Sequence, residues 1–389
     1  MKVPTLKPGR QTYRFDQIAI NVNDRVEPGD TDLEYYIGLE HLDSDSLKIR
    51  RWGTPDDVEA TKLRFKKGDI IFGRRRVYQR KLAVADFDGI CSAHAMVLRA
   101  KPDVVLPEFL PFFMQSDLFM NRALEISVGS LSPTINWKTL AAQEFPLPPP
   151  DEQRRLVEVL RAIQIYVAQL ETALSSIRVC EIAYLDSTTE RLRHTERSVA
   201  LGELLTGSPQ SGCSIAPRDT PTGHWVLALS ALSRLGYIEG ELKPVDRTVG
   251  MIDALLVNGD LLISRSNTRD RVGYAGIYNG EREGLVSFPD TMMRMTANTD
   301  LVSNEFLEFL LQSPLIRREV MSIAAGTSAS MKKINRRTLL ALQLPLPSLP
   351  DQAIALDRRR LLKCQIERVK KRLEGAKNLR SLTFSSMLT

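Results

Sequence analysis

Apolar residues along this chain switch between two periods, and the switch happens twice. Short apolar runs broken by Gly, Asp and Asn come first; Gly68-Asp69-Ile70-Ile71-Phe72 reads as a turn entering a buried strand, and residues 84–98 carry further β-like stretches. Helical spacing of aromatic and leucine residues follows over about residues 107–126. Prolines between Pro146 and Pro150 then interrupt the chain, and Asp151 offers a helix N-cap. From Glu152 onward Leu156, Ile163, Leu170, Ile177 and Tyr184 recur every seven residues, interleaved with Leu160, Val167 and Leu174. That spacing is the a/d seam of a long, pairing helix.

The same order of elements then returns. Gly259-Asp260-Leu261-Leu262-Ile263 repeats the turn and strand, residues 274–295 the β-like stretch, and about residues 303–323 the helix, with Ser303 suited to start it. Glu108-Phe109-Leu110 with Gln115-Ser116 returns as Glu305-Phe306-Leu307 with Gln312-Ser313. Ile135-Asn136 returns as Ile334-Asn335, Phe145-Pro146-Leu147-Pro148 as Leu344-Pro345-Leu346-Pro347, and Gln153 as Gln352. After Asp351, placed like Asp151 to cap a helix, Leu362, Ile366, Val369, Leu373 and Ala376 form a second seam. A period this long is a duplicated domain rather than a solenoid unit. One such stripe would pack on its own domain. Two, each trailing an equivalent domain, are better explained by antiparallel pairing across a pseudo-two-fold axis. About 35–40 helical residues at roughly 1.5 Å each imply a spacer on the order of 50–60 Å.

Composition bounds the function loosely. The 389 residues are 43% hydrophobic and 26% charged, as in ordinary globular proteins. Neither a signal segment nor an apolar run of membrane-spanning length is visible, so a cytoplasmic protein with no membrane partner is expected. The cysteines Cys91, Cys180, Cys213 and Cys364 are scattered and fit unpaired buried thiols in a reducing compartment. A net charge of +6 permits a polyanionic partner, and its distribution matters more than its sum.

Two pairs of segments could use that charge. Directly after the first repeated strand comes Arg74-Arg75-Arg76-Val77-Tyr78-Gln79-Arg80-Lys81; after the second comes Arg265-Ser266-Asn267-Thr268-Arg269-Asp270-Arg271. Arginine and lysine neutralise phosphates, arginine also reads guanine, and Asn or Gln reads adenine. Either run alone is a solvated loop; two basic, polar loops at one topological position point to DNA. The second pair is residues 129–138, ending in Lys138, and residues 326–337, with Lys332 and Lys333. Small residues and cations there suit a phosphate, while Asn136 and Asn335 equally suit helix caps. The basic residues around Arg358 to Arg360 and Lys370 to Arg372 fit a solvated face or a docking surface.

Catalytic signatures are missing. The chain has no phosphate-binding loop, no H-E-x-x-H and no nucleophile elbow, and His41, His94, His194 and His224 lack metal-ligand spacing. Pro148-Pro149-Pro150-Asp151 lacks the aromatic residue of an amino-methyltransferase motif, and Asp219, Glu241 and Lys243 are too loosely spaced to be read as a nuclease set.

Taken together, the duplicated Gly-Asp strand, the Ile-Asn element, the Pro-Leu-Pro stretch with Gln153 or Gln352 and the heptad helix resemble the specificity (S) subunit of type I restriction–modification systems. The resemblance covers nearly the whole chain. It departs at Ser348-Leu349-Pro350-Asp351-Gln352, which stands where the first copy has Pro149-Pro150-Asp151-Glu152-Gln153. It implies an α+β fold of two tandem pseudo-symmetric mixed α/β target-recognition domains (residues 1–150 and 196–349), with an antiparallel coiled coil of long helices (151–195 and 350–389). It implies a non-catalytic reader of a bipartite, asymmetric site in double-stranded DNA, with no cofactor. Two modification (methyltransferase) subunits and restriction (translocase–nuclease) subunits would dock on it. A coiled-coil adaptor, or a specificity subunit of another phage-defence complex, is the alternative.

Overall fold

A computed structural model describes residues 9–280, 282, 284–325 and 331–386. The fold is α+β. The chain divides into two compact units, one of residues up to 171 with those from 371 on, the other of residues 172–370. Two long helices, Pro150–Thr195 and Leu349–Ser386, each contribute to both units. Among the described residues no helix is long and apolar enough to cross a membrane.

In the N-terminal unit, strands Ala19–Val22, Ala95–Ala100, Ile70–Gly73 and Leu82–Val84 form an antiparallel sheet in that order. Ile70–Gly73 is buried on both faces, which is why its apolar run is unbroken. Ile70 and Phe72 pack with Phe109, Phe113 and Phe119 of the helical layer, while Ile71 packs with Leu63, Phe65 and Cys91 of a second sheet. The C-terminal unit repeats this through Gln210–Ser211, Met292–Met295, Leu261–Ser264 and Ala275–Ile277. Leu261 and Ile263 face Phe306 and Phe309; Leu262 faces Phe288 and Tyr278.

The repeated Gly-Asp pair has a physical reason. Gly68 and Gly259 sit at φ 92° and 98°, a region open to glycine. Asp69 then accepts the Lys66 amide at 2.8 Å and holds Arg99 of the neighbouring strand through two bonds of 2.7 and 2.8 Å. Asp260 accepts the Val257 amide at 3.1 Å and pairs with Arg294 at 3.0 Å.

Each helical stretch expected as one helix is two. Leu110–Gln115 stops and Asp117–Glu125 restarts at Ser116; Asn304–Gln312 and Pro314–Ser322 meet at Ser313. Both serines are extended (ψ 154° and 141°), and their hydroxyls cap the following helix. The expected caps Asp151 and Asp351 lie inside the first helical turn instead. Proline is tolerated there, so the helices begin at Pro150 and Leu349, and Ser348 bonds Asp351 across the turn. Gln153 and Gln352, both buried, anchor these starts. Gln153 donates to the Pro148 carbonyl and accepts the Leu106 amide, both at 2.9 Å. Gln352 donates to Pro347 (3.1 Å) and Leu301 (2.8 Å).

The long helices run antiparallel within each unit. In the C-terminal unit Tyr184 donates to the Ala355 carbonyl at 3.0 Å, and Glu181 meets Arg359 at 3.3 Å; in the N-terminal unit Glu171 meets Lys377 at 3.5 Å. Of the expected seam, Leu160, Ile163, Val167, Leu170 and Ile366 are buried, and Leu156, Leu174, Ile177, Leu362, Val369 and Leu373 half-buried. Leu156 and Leu160 serve the N-terminal core, together with Phe384 of the second long helix. Cys91 and Cys213 are buried as expected, whereas Cys180 and Cys364 are exposed on the helices.

Arg359 does not lie on the solvated face expected for its basic stretch, and the two units differ there. Arg359, 3% exposed, binds Glu181 and, at 3.0 Å, Glu308, and its guanidinium also bonds Gln312. Aligning Gln352 with Gln153 sets Arg359 opposite Leu160, which is fully buried. Replacing Arg359 with Met would strand the buried Glu181 carboxylate and leave Glu308 with Lys363 and the Ile277 amide, at a cost of about 3–5 kcal/mol. Thermal unfolding of R359M should show that loss, and a melt unchanged from the parent would rule out a structural role for the cluster.

Candidate nucleic-acid interface

The repeated Ile-Asn element brings the two basic segments of each unit together. Ile135 and Ile334 are buried plugs. The Ile135 amide donates to the Arg74 carbonyl at 3.0 Å, and the Ile334 amide to the Arg265 carbonyl at 2.9 Å. In the N-terminal unit single bridges join Arg75 to Thr134 and Val128 to Thr134, and the Arg76 amide donates to Pro133 at 2.8 Å. In the C-terminal unit the same arrangement is a small sheet: Ser266–Asn267 pairs with Lys332–Ile334, which pairs with Ala324–Ala325. Residues 326–330, part of the second expected segment, lie outside the described residues.

Not every expected contact residue faces outward. Arg76 and Tyr78 are exposed, and Arg74 and Arg75 half-buried, while Val77 inserts into the core. Arg80 turns back to bind Asp45 (2.7 Å), Asp117 (3.0 Å) and the Gln115 carbonyl (2.6 Å), and Lys81 reaches the Leu39 carbonyl at 2.6 Å. These two brace the loop. Asn267 is buried, its amide donating to Ser264 at 3.2 Å. Arg269, Arg271, Lys333 and Lys138 are exposed, and Arg265 and Lys332 half-buried.

Asn335 caps the next helix by accepting the Arg337 amide at 2.9 Å, whereas Asn136 holds the capping position without that bond.

Both loops are tied to the helical layer, with the cation on the loop in the N-terminal unit and on the helix in the C-terminal one. In the C-terminal unit the tie comes from the helical layer: Arg317, 5% exposed, donates to the carbonyls of Val272 and Asp270 and lies 4.6 Å from the Tyr274 ring centre. Burial pulls its guanidinium down to about 10, so it stays charged at neutral pH.

Sequence reading missed a cleft beside Arg74, lined by Asn21, Asn23, Arg25, Lys62 and Trp137. Asn21, Arg25 and Lys62 sit on short strands, Asn23 between two of them and Trp137 at the start of a helix, and no charge run marks them. Charges converge nearby: partial burial, then Arg75, Arg74 and Lys62, hold His94 below its ordinary range. Among the described residues no group of His, Cys, Asp or Glu is arranged to hold a metal ion.

Residues 55–176 match the family model for the type I restriction modification DNA specificity domain. The chain is 28% identical to the EcoDI specificity subunit of Escherichia coli over 45% of its length and 39% of the relative's. It is 23% identical to the EcoKI specificity subunit of E. coli K12 over 74% and 65%, and 24% identical to the StySPI specificity subunit of Salmonella potsdam over 89% and 75%. Residues 55–176 are thus similar to a type I DNA specificity domain, and the relatives that the chain resembles are type I specificity subunits. The chain matches less than two thirds of the length of the EcoDI and EcoKI subunits. A chain of a solved type I restriction–modification system has the same fold, with a TM-score of 0.63 at 19% identity over 99% of this chain and 98% of that one. The S subunit from M. genitalium gives a TM-score of 0.52 at 14% identity over the same shares.

Because Arg75 is the foremost charge acting on His94, R75Q should raise the His94 pKa toward its ordinary value. Imidazole resonances followed by NMR against pH would report it; an unmoved midpoint would separate His94 from the basic loop.

Proposed function

We propose that this chain is the non-catalytic reader of a type I restriction–modification complex, each unit acting as a target-recognition domain for one half of a bipartite, asymmetric DNA site. The observation that carries this is the repeated hydrogen bond from Ile135 to Arg74 and from Ile334 to Arg265, which sets two basic segments side by side in both units. Like scaffolds then present unlike residues: Arg74, Arg75, Arg76, Tyr78 and Lys138 in one, Arg265, Arg269, Arg271, Lys332 and Lys333 in the other. Phosphate contacts position such a protein and base-edge contacts give it specificity. On this reading the long helices set the interval between half-sites.

The same helices carry apolar side chains that water would not favour, including Ile165 (59% exposed), Val179 (63%), Leu361 (68%) and Leu382 (68%). Apolar surface of this kind suits docked protein partners, here modification subunits that methylate adenine, and the restriction subunits that join them.

Sequencing of methylated adenines in host DNA, with and without this chain, tests the reading. A two-part asymmetric motif should vanish without the chain; persistence of every motif would refute the assignment. R269Q should weaken discrimination in one half of that motif, and K333Q should lower affinity for all sequences. Equal loss of discrimination in both halves from R269Q would refute the one-unit, one-half-site assignment.

A further inference from the structure

The cleft beside Arg74 is chemically unusual for a protein surface. Arg25, Lys62 and Arg74 line it with Asn21, Asn23 and Trp137, above buried Leu63 and Met96, and no carboxylate is among its lining residues. Lys62 is only 7% exposed, and its ammonium meets the Ala60 carbonyl and lies 5.9 Å from the centre of the Tyr36 ring. The Nε of Arg74 is buried with no hydrogen-bond partner among the described residues. Burying cations and donors without an anion is costly, so a site built this way gains most from an anion that enters it.

The matching place in the C-terminal unit is chemically different. Asn23 follows the strand that pairs with Ala95–Ala100, and Ser211 ends the corresponding pairing with Met292–Met295. Trp137 follows Asn136 as Arg336 follows Asn335. There Arg336 donates to Ser211 at 3.1 Å, filling the spot with a guanidinium.

We propose that this cleft seats a DNA backbone phosphate on Arg25, Lys62 and Arg74 and sets Asn23 against the adjoining base edge. Asn23 then becomes a specificity-determining residue of the N-terminal half-site. This rests on the DNA-reading function proposed above. A carboxamide beside a phosphate seat suits adenine, whose N6 and N7 match its donor and acceptor, and a guanidinium at the equivalent position suits guanine. The phosphate contacts would fix the register from which the carboxamide reads.

The test uses the full chain and a randomised duplex pool, with affinity measured by fluorescence anisotropy over a range of salt. Each phosphate contact contributes about 0.9 to the log–log salt slope. The double variant R25Q/R74Q should flatten that slope by about two units, and R25Q alone, at an exposed position, by about one. N23A should leave the slope unchanged and relax the base preference at one position of one half-site in the selected pool. An unaltered slope in R25Q and in the double variant would overturn the phosphate seat, and an unaltered pool after N23A would overturn the role of Asn23. Failure of the parent chain to bind duplex with any salt dependence would instead refute the DNA-reading function itself.

Discussion

Each hydrophobic core is closed by residues of both long helices. The N-terminal core takes Leu160 from the first long helix and Phe384 from the second; the C-terminal core takes Leu185 and Leu192 from the first and Ala355 and Leu356 from the second. Burial of apolar surface is the main favourable term in folding. Each helix therefore serves first as the lid of a core and only then as a rod. The clamps at Gln153 and Gln352 anchor the start of each lid, with buried carboxamides satisfied by backbone groups on either side.

Where the two cores are alike, apolar packing alone leaves little to distinguish one helix partner from another. The Arg359 cluster breaks that equivalence. A guanidinium that must meet Glu181 and Glu308 tolerates little sliding of one helix along the other, whereas Leu160 at the matching position would accept small shifts. Buried polar groups of this kind cost stability relative to well-packed apolar ones and can specify register in return.

Much of this was legible in the sequence because duplication turns weak signals into strong ones. Gly-Asp, Ile-Asn and a lone Gln mean little singly; repeated in order, they marked a turn glycine with a strand-tying carboxylate, a core plug and a helix clamp. The heptad spacing likewise marked the buried seam. Helix breaks at Ser116 and Ser313 escaped notice, because apolar periodicity continues across a one-residue kink. Sequence shows the polarity of Arg80, Lys81 and Asn267 but not that carboxylates, carbonyls and the Ser264 hydroxyl inside the fold hold them. The cleft of Asn21, Arg25 and Lys62 was invisible for the converse reason: Lys62 is distant in sequence from the other two, and strand pairing brings it beside them.

The sharing of lids also bears on synthesis. Phe384 is translated roughly 200 residues after the rest of the N-terminal core, and at about 5–20 residues per second the ribosome takes on the order of 10–40 s to reach it. During that interval the N-terminal core lacks Phe384. The N-terminal core is therefore completed only after the whole of the C-terminal unit has been synthesised.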